Sequence, residues 1–221
     1  MTVTEAVQKR RSIRGFKPDP IPEALLQEIV ELACLAPSNC NTQPWHLTVV
    51  SGAMRDRLEQ EFMHALETGV TPTPAFKPGD MNLEGVYRER QIDCAVRYYN
   101  TMGIERQDRE KRLWLAQKNW QFFGAPHVAF LSMPTSMGEV NAIDVGIYLQ
   151  TFMLLLVERG LASIPQGALA HYPEPVERLI GLPEGHGILC GISFGYEDPS
   201  ARINEVKTDR APVSNTVTRV Q

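Results

Sequence analysis

The sequence predicts a single domain of mixed helices and strands, on three observations. The chain has 221 residues, 43% of them hydrophobic, which is enough to enclose one sizeable core. Several stretches repeat apolar residues at steps of three and four, the period of one helix face. Short runs rich in Val, Ile, Leu and Phe, bounded by Pro and Gly, read as strands at about 46–50, 127–133, 162–169 and 187–196.

In chain order, residues 3–10 read as a short helix that runs into Arg10-Arg11-Ser12-Ile13-Arg14-Gly15-Phe16. Pro18, Pro20 and Pro22 make an extended connector, and Pro22 suits the first turn of a helix, where its missing N–H costs nothing. That helix carries Leu25, Leu26, Ile29, Leu32, Ala33 and Ala36 on its apolar positions. It should stop at Pro37, which disfavours helical geometry in the residue before it. The polar loop Pro37-Ser38-Asn39-Cys40-Asn41-Thr42-Gln43-Pro44-Trp45 then leads into the first strand.

Beyond Ser51-Gly52, Met54, Leu58, Phe62 and Leu66 mark one face of a helix. Residues 71–80 are too rich in proline for regular structure and read as a surface loop. Two helices are expected at about 82–101 and 106–123. The first is charged, with Arg88, Glu89, Arg90, Asp93 and Arg97 beside Tyr87, Tyr98 and Tyr99; the second sets Leu113, Ala116, Trp120 and Phe123 on one side. Residues 139–160 form the most apolar helix, with Gly160 placed as its C-terminal cap. Asp144, Gln150 and Thr151 interrupt it short of the ~20 apolar residues that a bilayer span needs. We therefore expect no membrane span, but a helix buried on all sides with a subunit interface as one wall. A short helix at 173–180 separates the last two strands.

Composition excludes several classes. A net charge of −4 and a pI near 5.8 give no general attraction to nucleic acid, so the N-terminal arginines point to a small anionic ligand. The cysteines at 34, 40, 94 and 190 form no C-x-x-C pair, and the N-terminus lacks a signal-peptide layout; we expect reduced thiols and a cytoplasmic protein. Cys34 and Cys190 read as core residues. The scattered histidines suggest no metal site. Gly185, Gly187 and Gly191 have the wrong spacing for a dinucleotide fingerprint, and a strand follows where a helix should open.

The Arg10–Phe16 stretch, the Ala36–Trp45 loop, Ile164-Pro165-Gln166-Gly167, Gly191–Tyr196 and Asn204–Pro212 occur in the order of the FMN-dependent nitroreductase family. The chain resembles that family from about residue 5 to 213, with 70–125 weakly matched. The resemblance implies an α+β sandwich, a mainly antiparallel sheet flanked by helices, in an intertwined homodimer: one domain over residues 1–221 with a variable lid at about 70–125. It implies FMN as cofactor. Arg10, Arg11, Ser12 and Arg14 would hold phosphate, ribityl and ring-edge oxygens, and Lys207 and Arg210 would complete the phosphate clamp. Asn41 and Gln43 would bond the ring or ribityl chain beside Pro37, Ser38 and Asn39, while Pro165, Gln166 and Gly167 would lie against the ring.

No catalytic side chain is required, because the flavin carries the redox chemistry. NADPH or NADH would visit as a transient donor, and a small aromatic substrate, a nitrobenzoate among the options, would be reduced in ping-pong fashion. Tyr87, Arg88, Arg90, Arg97 and Tyr98 in the lid are the expected substrate wall. Gln166 departs from the Glu often found after that proline. Two alternatives stay open: reductive dehalogenation or another aromatic reduction on the same fold, and non-catalytic flavin storage. The deiodinase branch clamps its substrate with a lid Glu, Tyr and Lys; here Glu84 and Tyr87 are three apart, and no Lys follows before Lys111.

Overall fold

The computed structural model describes residues 1–221. In chain order it contains α1 (Val3–Lys9), α2 (Glu23–Ala33), β1 (His46–Ser51), α3 (Gly52–Glu67), α4 (Gly85–Met102), α5 (Arg109–Gln117), β2 (His127–Pro134), α6 (Glu139–Glu158), β3 (Ala162–Gln166), α7 (Pro173–Leu179) and β4 (His186–Gly195). The four strands form one sheet in the order β1-β2-β4-β3, with every pair antiparallel. Alternate residues of a strand point to opposite faces, and here both faces are covered. Leu131 of β2 and Phe194 of β4 pack with Ile29 of α2 and Phe152 and Leu156 of α6. Phe130 of β2 and Ile188 of β4 pack with Leu58 and Phe62 of α3 and Val176 of α7. That double burial explains why β2 reads as an unbroken apolar run rather than an alternating one. The α+β sandwich is as expected.

Several local expectations need correction. Helix α2 ends at Ala33, because Leu35 and Ala36 already donate to carbonyls three residues back, tightening the chain ahead of Pro37. Cys34 is therefore exposed at a helix end rather than buried. In α3 the inward stripe is Leu58, Phe62 and Ala65, and Met54 faces out. Helix α5 stops at Gln117, six residues early, and Leu113 is 61% exposed.

The cause lies just downstream. Phe122, Phe123 and Gly124 all take positive φ, at 53°, 51° and 76°, a turn that buries both rings at the cost of strain in two non-glycine residues. Arg55 braces this turn, donating to the carbonyls of Ala125 and Gln121 at 3.0 Å each while its guanidinium lies over the Phe122 ring. Strand β3 ends at Gln166, and residues 167–170 coil into a tight turn. Gly191 permits that turn to close, since a Cβ there would stand 2.3 Å from Leu169 Cδ1.

By length and composition alone α6 would pass for a membrane span, with a mean hydropathy of 1.7 over its most apolar stretch. Its inward face carries Val145, Tyr148, Phe152, Met153 and Leu156, but Val140, Ile143 and Ile147 are exposed. It is thus covered on one side only within a single chain.

Candidate functional site

The segment after α1 is drawn across the sheet edge by its backbone. Ser12 bridges Ser163 in parallel, and the Ile13 N–H donates to the Ser163 carbonyl at 3.1 Å. Buried Asn204 clips the next turn, accepting from the Arg14 N–H at 2.8 Å and donating to the carbonyls of Gly15 and Asp198 at 2.8 and 3.1 Å. Gly15 is needed there because a Cβ would collide with Ala201 Cβ at 2.4 Å.

These contacts line one wall of a 610 Å³ cavity with Arg10, Arg11, Ser12 and Arg14; Cys94 and Tyr98 of α4 and Lys207, Thr208 and Arg210 from the C-terminal segment supply the other. The cavity is lined by five cations and no carboxylate. Arg11 is already engaged, by Glu197 and by the Asn204 carbonyl. Arg10 is not, and its pKa is held below the usual arginine value by burial first and by the nearby Arg210 charge second. Arg10 and Arg210, like charges with no carboxylate paired to either, are what a bound anion would relieve.

A second cavity, of 490 Å³, shares Arg14 with the first. Its wall runs through Ile164, Pro165, Gln166, Gly167 and His171, with Asn119 beside them and the loop from Pro74 to Asp80 opposite. Arg14 lies 4.1 Å over the centre of the Tyr98 ring, and burial pulls its pKa down to about 10. One of its terminal nitrogens has no hydrogen-bond partner.

Gln166 is 3% exposed, and its side-chain amide is engaged at both ends: Nε2 donates to the Asn119 carbonyl at 2.9 Å, and Oε1 accepts from Ser193. A glutamate here would set a carboxylate against that carbonyl, so the departure from the family pattern has a local cause. At Gly167 the φ is ordinary and an added Cβ would meet no protein atom within 4 Å. Nothing in the chain requires a bare backbone at that point. A flat group pressed against the wall would.

The two cavities, joined at Arg14, therefore suit a ligand with an anionic tail and a flat polar-edged ring, and FMN has both parts. A wider depression of 690 Å³ near Pro18 and Pro126 has Arg55 as its arginine, and that guanidinium is taken by Ala125, Gln121 and Glu59.

The structure thus gathers Arg10, Arg11, Ser12, Arg14, Lys207 and Arg210 at one end and Pro165, Gln166 and Gly167 at the other. It does not bring in Pro37, Ser38, Asn39, Asn41 or Gln43, which line neither cavity. Their loop is instead fixed on α6, where the Asn39 N–H donates to Asp144 Oδ1 at 3.0 Å, and Cys40, Asn41 and Gln43 all take positive φ.

The lid residues also sort differently from expectation. Tyr98 belongs to the anion cavity. Arg97 is tied to Asp93, Asp209 and the Lys207 carbonyl at 2.8, 2.7 and 3.2 Å, so it is a brace for the C-terminal segment. Arg88 pairs with Gln91, and Arg90 leans 6.0 Å from the exposed Tyr87 ring; none of the three lines the ring cavity. Sequence reasoning missed Asn119, Asn204 and Lys77. The partners of Asn119 and Asn204 lie 47 and 190 residues away in the chain, with no local spacing to mark them; for Lys77 only the flanking prolines hinted at a fixed loop.

The sandwich and a site of this shape fit a flavoprotein oxidoreductase scaffold. The sequence model of the Nitroreductase family matches residues 7–196, and the chain belongs to that family. It is 42% identical over 211 residues to nitroreductase NfnB of Mycolicibacterium smegmatis, covering 95% of this chain and 89% of that protein. It is 33% identical to a 4-nitrobenzoate reductase of Pseudomonas putida, over 92% of this chain and 89% of that one. Among solved structures, the FMN-dependent nitroreductase NfnB from Mycobacterium smegmatis in complex with NADPH superposes with a TM-score of 0.93 at 39% identity, with both chains fully covered. The FMN and NADPH-dependent NfnB from Sphigopyxis sp. strain HMH gives 0.96 at 32% identity, again over the whole of both chains.

Proposed function

We propose that the protein is an FMN-dependent oxidoreductase that takes hydride from NAD(P)H and passes electrons to nitroaromatic compounds. The observation that carries this reading is the pair of cavities joined at Arg14, one lined by cations without a carboxylate and the other walled by the bare backbone of Gly167. Bound FMN supplies reversible two-electron chemistry; the chain supplies place and charge. Arg10, Ser12, Lys207 and Arg210 hold the phosphate, and Arg14 reaches from that end into the ring cavity with a free N–H. Pro165 and Gly167 form the wall, with Gln166 locked behind it by Asn119 and Ser193. The 74–80 loop supplies a further wall of the same cavity.

The functional unit in this reading is a homodimer in the cytoplasm. Val140, Ile143, Gly146 and Ile147 make an exposed stripe at helical spacing on α6, and the Asn39–Gln43 loop is anchored on the same helix. A second copy packed on α6 covers the stripe and brings that loop to the neighbouring flavin. The four free thiols fit a reducing compartment.

Stopped-flow mixing of the yellow holoprotein with NADPH or NADH tests the function directly. The expected result is bleaching by donor, reoxidation by a nitroaromatic, and parallel lines in double-reciprocal plots. A flavin that neither donor bleaches would mean storage, and halide release from halophenols at a higher kcat/KM than nitro reduction would mean dehalogenation.

A further inference from the structure

The lid arginines do not reach the ring cavity, yet one exposed cation does. Lys77 lines its rim, and none of the ten ion pairs of the chain involves it. We propose that Lys77 is the specificity-determining residue for a carboxylate carried on the aromatic acceptor. The proposal rests on the reading of the site as a flavin-dependent aromatic reductase and assigns its substrate class: planar aromatic monoanions.

Three features support the assignment. The first is that Lys77 sits on a fixed support. The Thr73 N–H donates to the His171 carbonyl at 2.9 Å, Phe76 packs against the core beneath the sheet, and Pro74 and Pro78 limit the backbone on either side. Gly187 of β4 lets this loop lie flat, since a Cβ there would stand 2.4 Å from Ala75 Cβ and 3.0 Å from the Phe76 ring. Anchoring of this kind fixes the backbone from which the flexible Lys77 stem carries its ammonium to the cavity mouth.

The second is charge. Arg14, the other cation of the ring cavity, is half-buried over the Tyr98 ring and shared with the cation-lined cavity, which leaves Lys77 as the cation open to a visitor. Asp80 shares the rim without pairing to Lys77, and its carbonyl is taken by Gln91 at 3.0 Å. One free cation with one carboxylate nearby suits a monoanion better than a doubly charged phosphate. The third is the wall itself: Pro74, Phe76, Pro78 and Leu189 give the cavity an apolar side on which a flat ring can lie while its carboxylate meets the ammonium at the edge.

The test compares kcat/KM for 4-nitrobenzoate and nitrobenzene in wild type, Lys77→Met and Lys77→Arg, with Arg88→Ala as a control. One charge-assisted contact at a half-open site corresponds to a preference of about five- to tenfold for the benzoate. We expect that preference in wild type, its loss in Lys77→Met through KM, its retention in Lys77→Arg, and no change in Arg88→Ala. Equal rates in wild type, or a preference intact in Lys77→Met, would overturn the assignment. So would a rise in the KM for NADPH with no change for nitrobenzoate, which would give Lys77 to the donor's phosphate. Perturbation of the flavin spectrum by unreactive benzoate separates the two layers: binding that depends on Lys77 upholds the inference even if no nitro compound is reduced.

Discussion

The guanidinium of Arg14 lies 4.1 Å from the centre of the Tyr98 ring and 5.7 Å from that of Phe123, yet one of its nitrogens is buried without an acceptor. The ring contact is worth about 2 kcal/mol when desolvated, and an unsatisfied buried donor costs about 1–3 kcal/mol, more when it is charged. Without cofactor the side chain is thus close to neutral or mildly unfavourable, and it becomes favourable when FMN offers an oxygen. Arg14→Met should act with opposite signs on the two forms. The FMN-free protein gains about 1 kcal/mol, a rise in Tm of about 2–4 °C for a chain this size, while FMN affinity falls about tenfold or more. Melting curves with and without FMN decide it; a lower Tm in the FMN-free variant would make Arg14 a structural residue. The arginine cluster was legible in sequence because its members are near neighbours. That Arg11 is taken by Glu197 while Arg14 is left open was not, because the deciding partners come from the far end of the chain.

Among the elements, α4 departs most from its sequence reading. Its charge and aromatic content suggested a substrate wall, but its inward residues Cys94 and Tyr98 face the anion cavity, and Arg97 ties it to Asp209 and the Lys207 carbonyl. The helix is therefore fastened to the C-terminal segment that carries Lys207 and Arg210. Helix periodicity identifies which residues share a face but not what that face meets, so the pattern could not tell a lid from a brace. Each Arg97 pair is largely exposed, and exposed pairs contribute little singly; their effect is to hold Lys207 and Arg210 in position. Arg97→Ala should loosen FMN only about threefold, against about ten- to a hundredfold for Arg210→Ala, which removes a charge-assisted contact itself. Riboflavin, which lacks the phosphate, should bind both variants as it binds wild type. A loss of riboflavin affinity equal to that of FMN in Arg97→Ala would show that α4 has collapsed onto the ring cavity instead.

At the scale of the whole molecule, the sequence marked the blocks that resemble the family but could not show which of them lie together in one chain. The Asn39–Gln43 loop and the arginine cluster read as parts of one site, yet the fold carries the loop away on α6. Three positive-φ residues that are not glycine, Cys40, Asn41 and Gln43, hold the loop's shape there, a strain that a chain retains where the shape has a use. Gly146 adds to the case. It is exposed in mid-helix, costs about 1 kcal/mol relative to alanine, and has no Cβ neighbour within 4 Å. A helix of a second copy lying against the Val140-Ile143-Ile147 stripe would account for both the exposed apolar side chains and the glycine between them. Ile143→Glu, placed on the exposed stripe and away from both cavities, should then convert a sedimenting dimer to a monomer. The same variant should release FMN, because each flavin would lose the loop delivered by the other copy. Sedimentation velocity monitored at the flavin absorbance reads both outcomes at once, and a monomer that sediments with its flavin at wild-type occupancy would show that one chain completes the site alone.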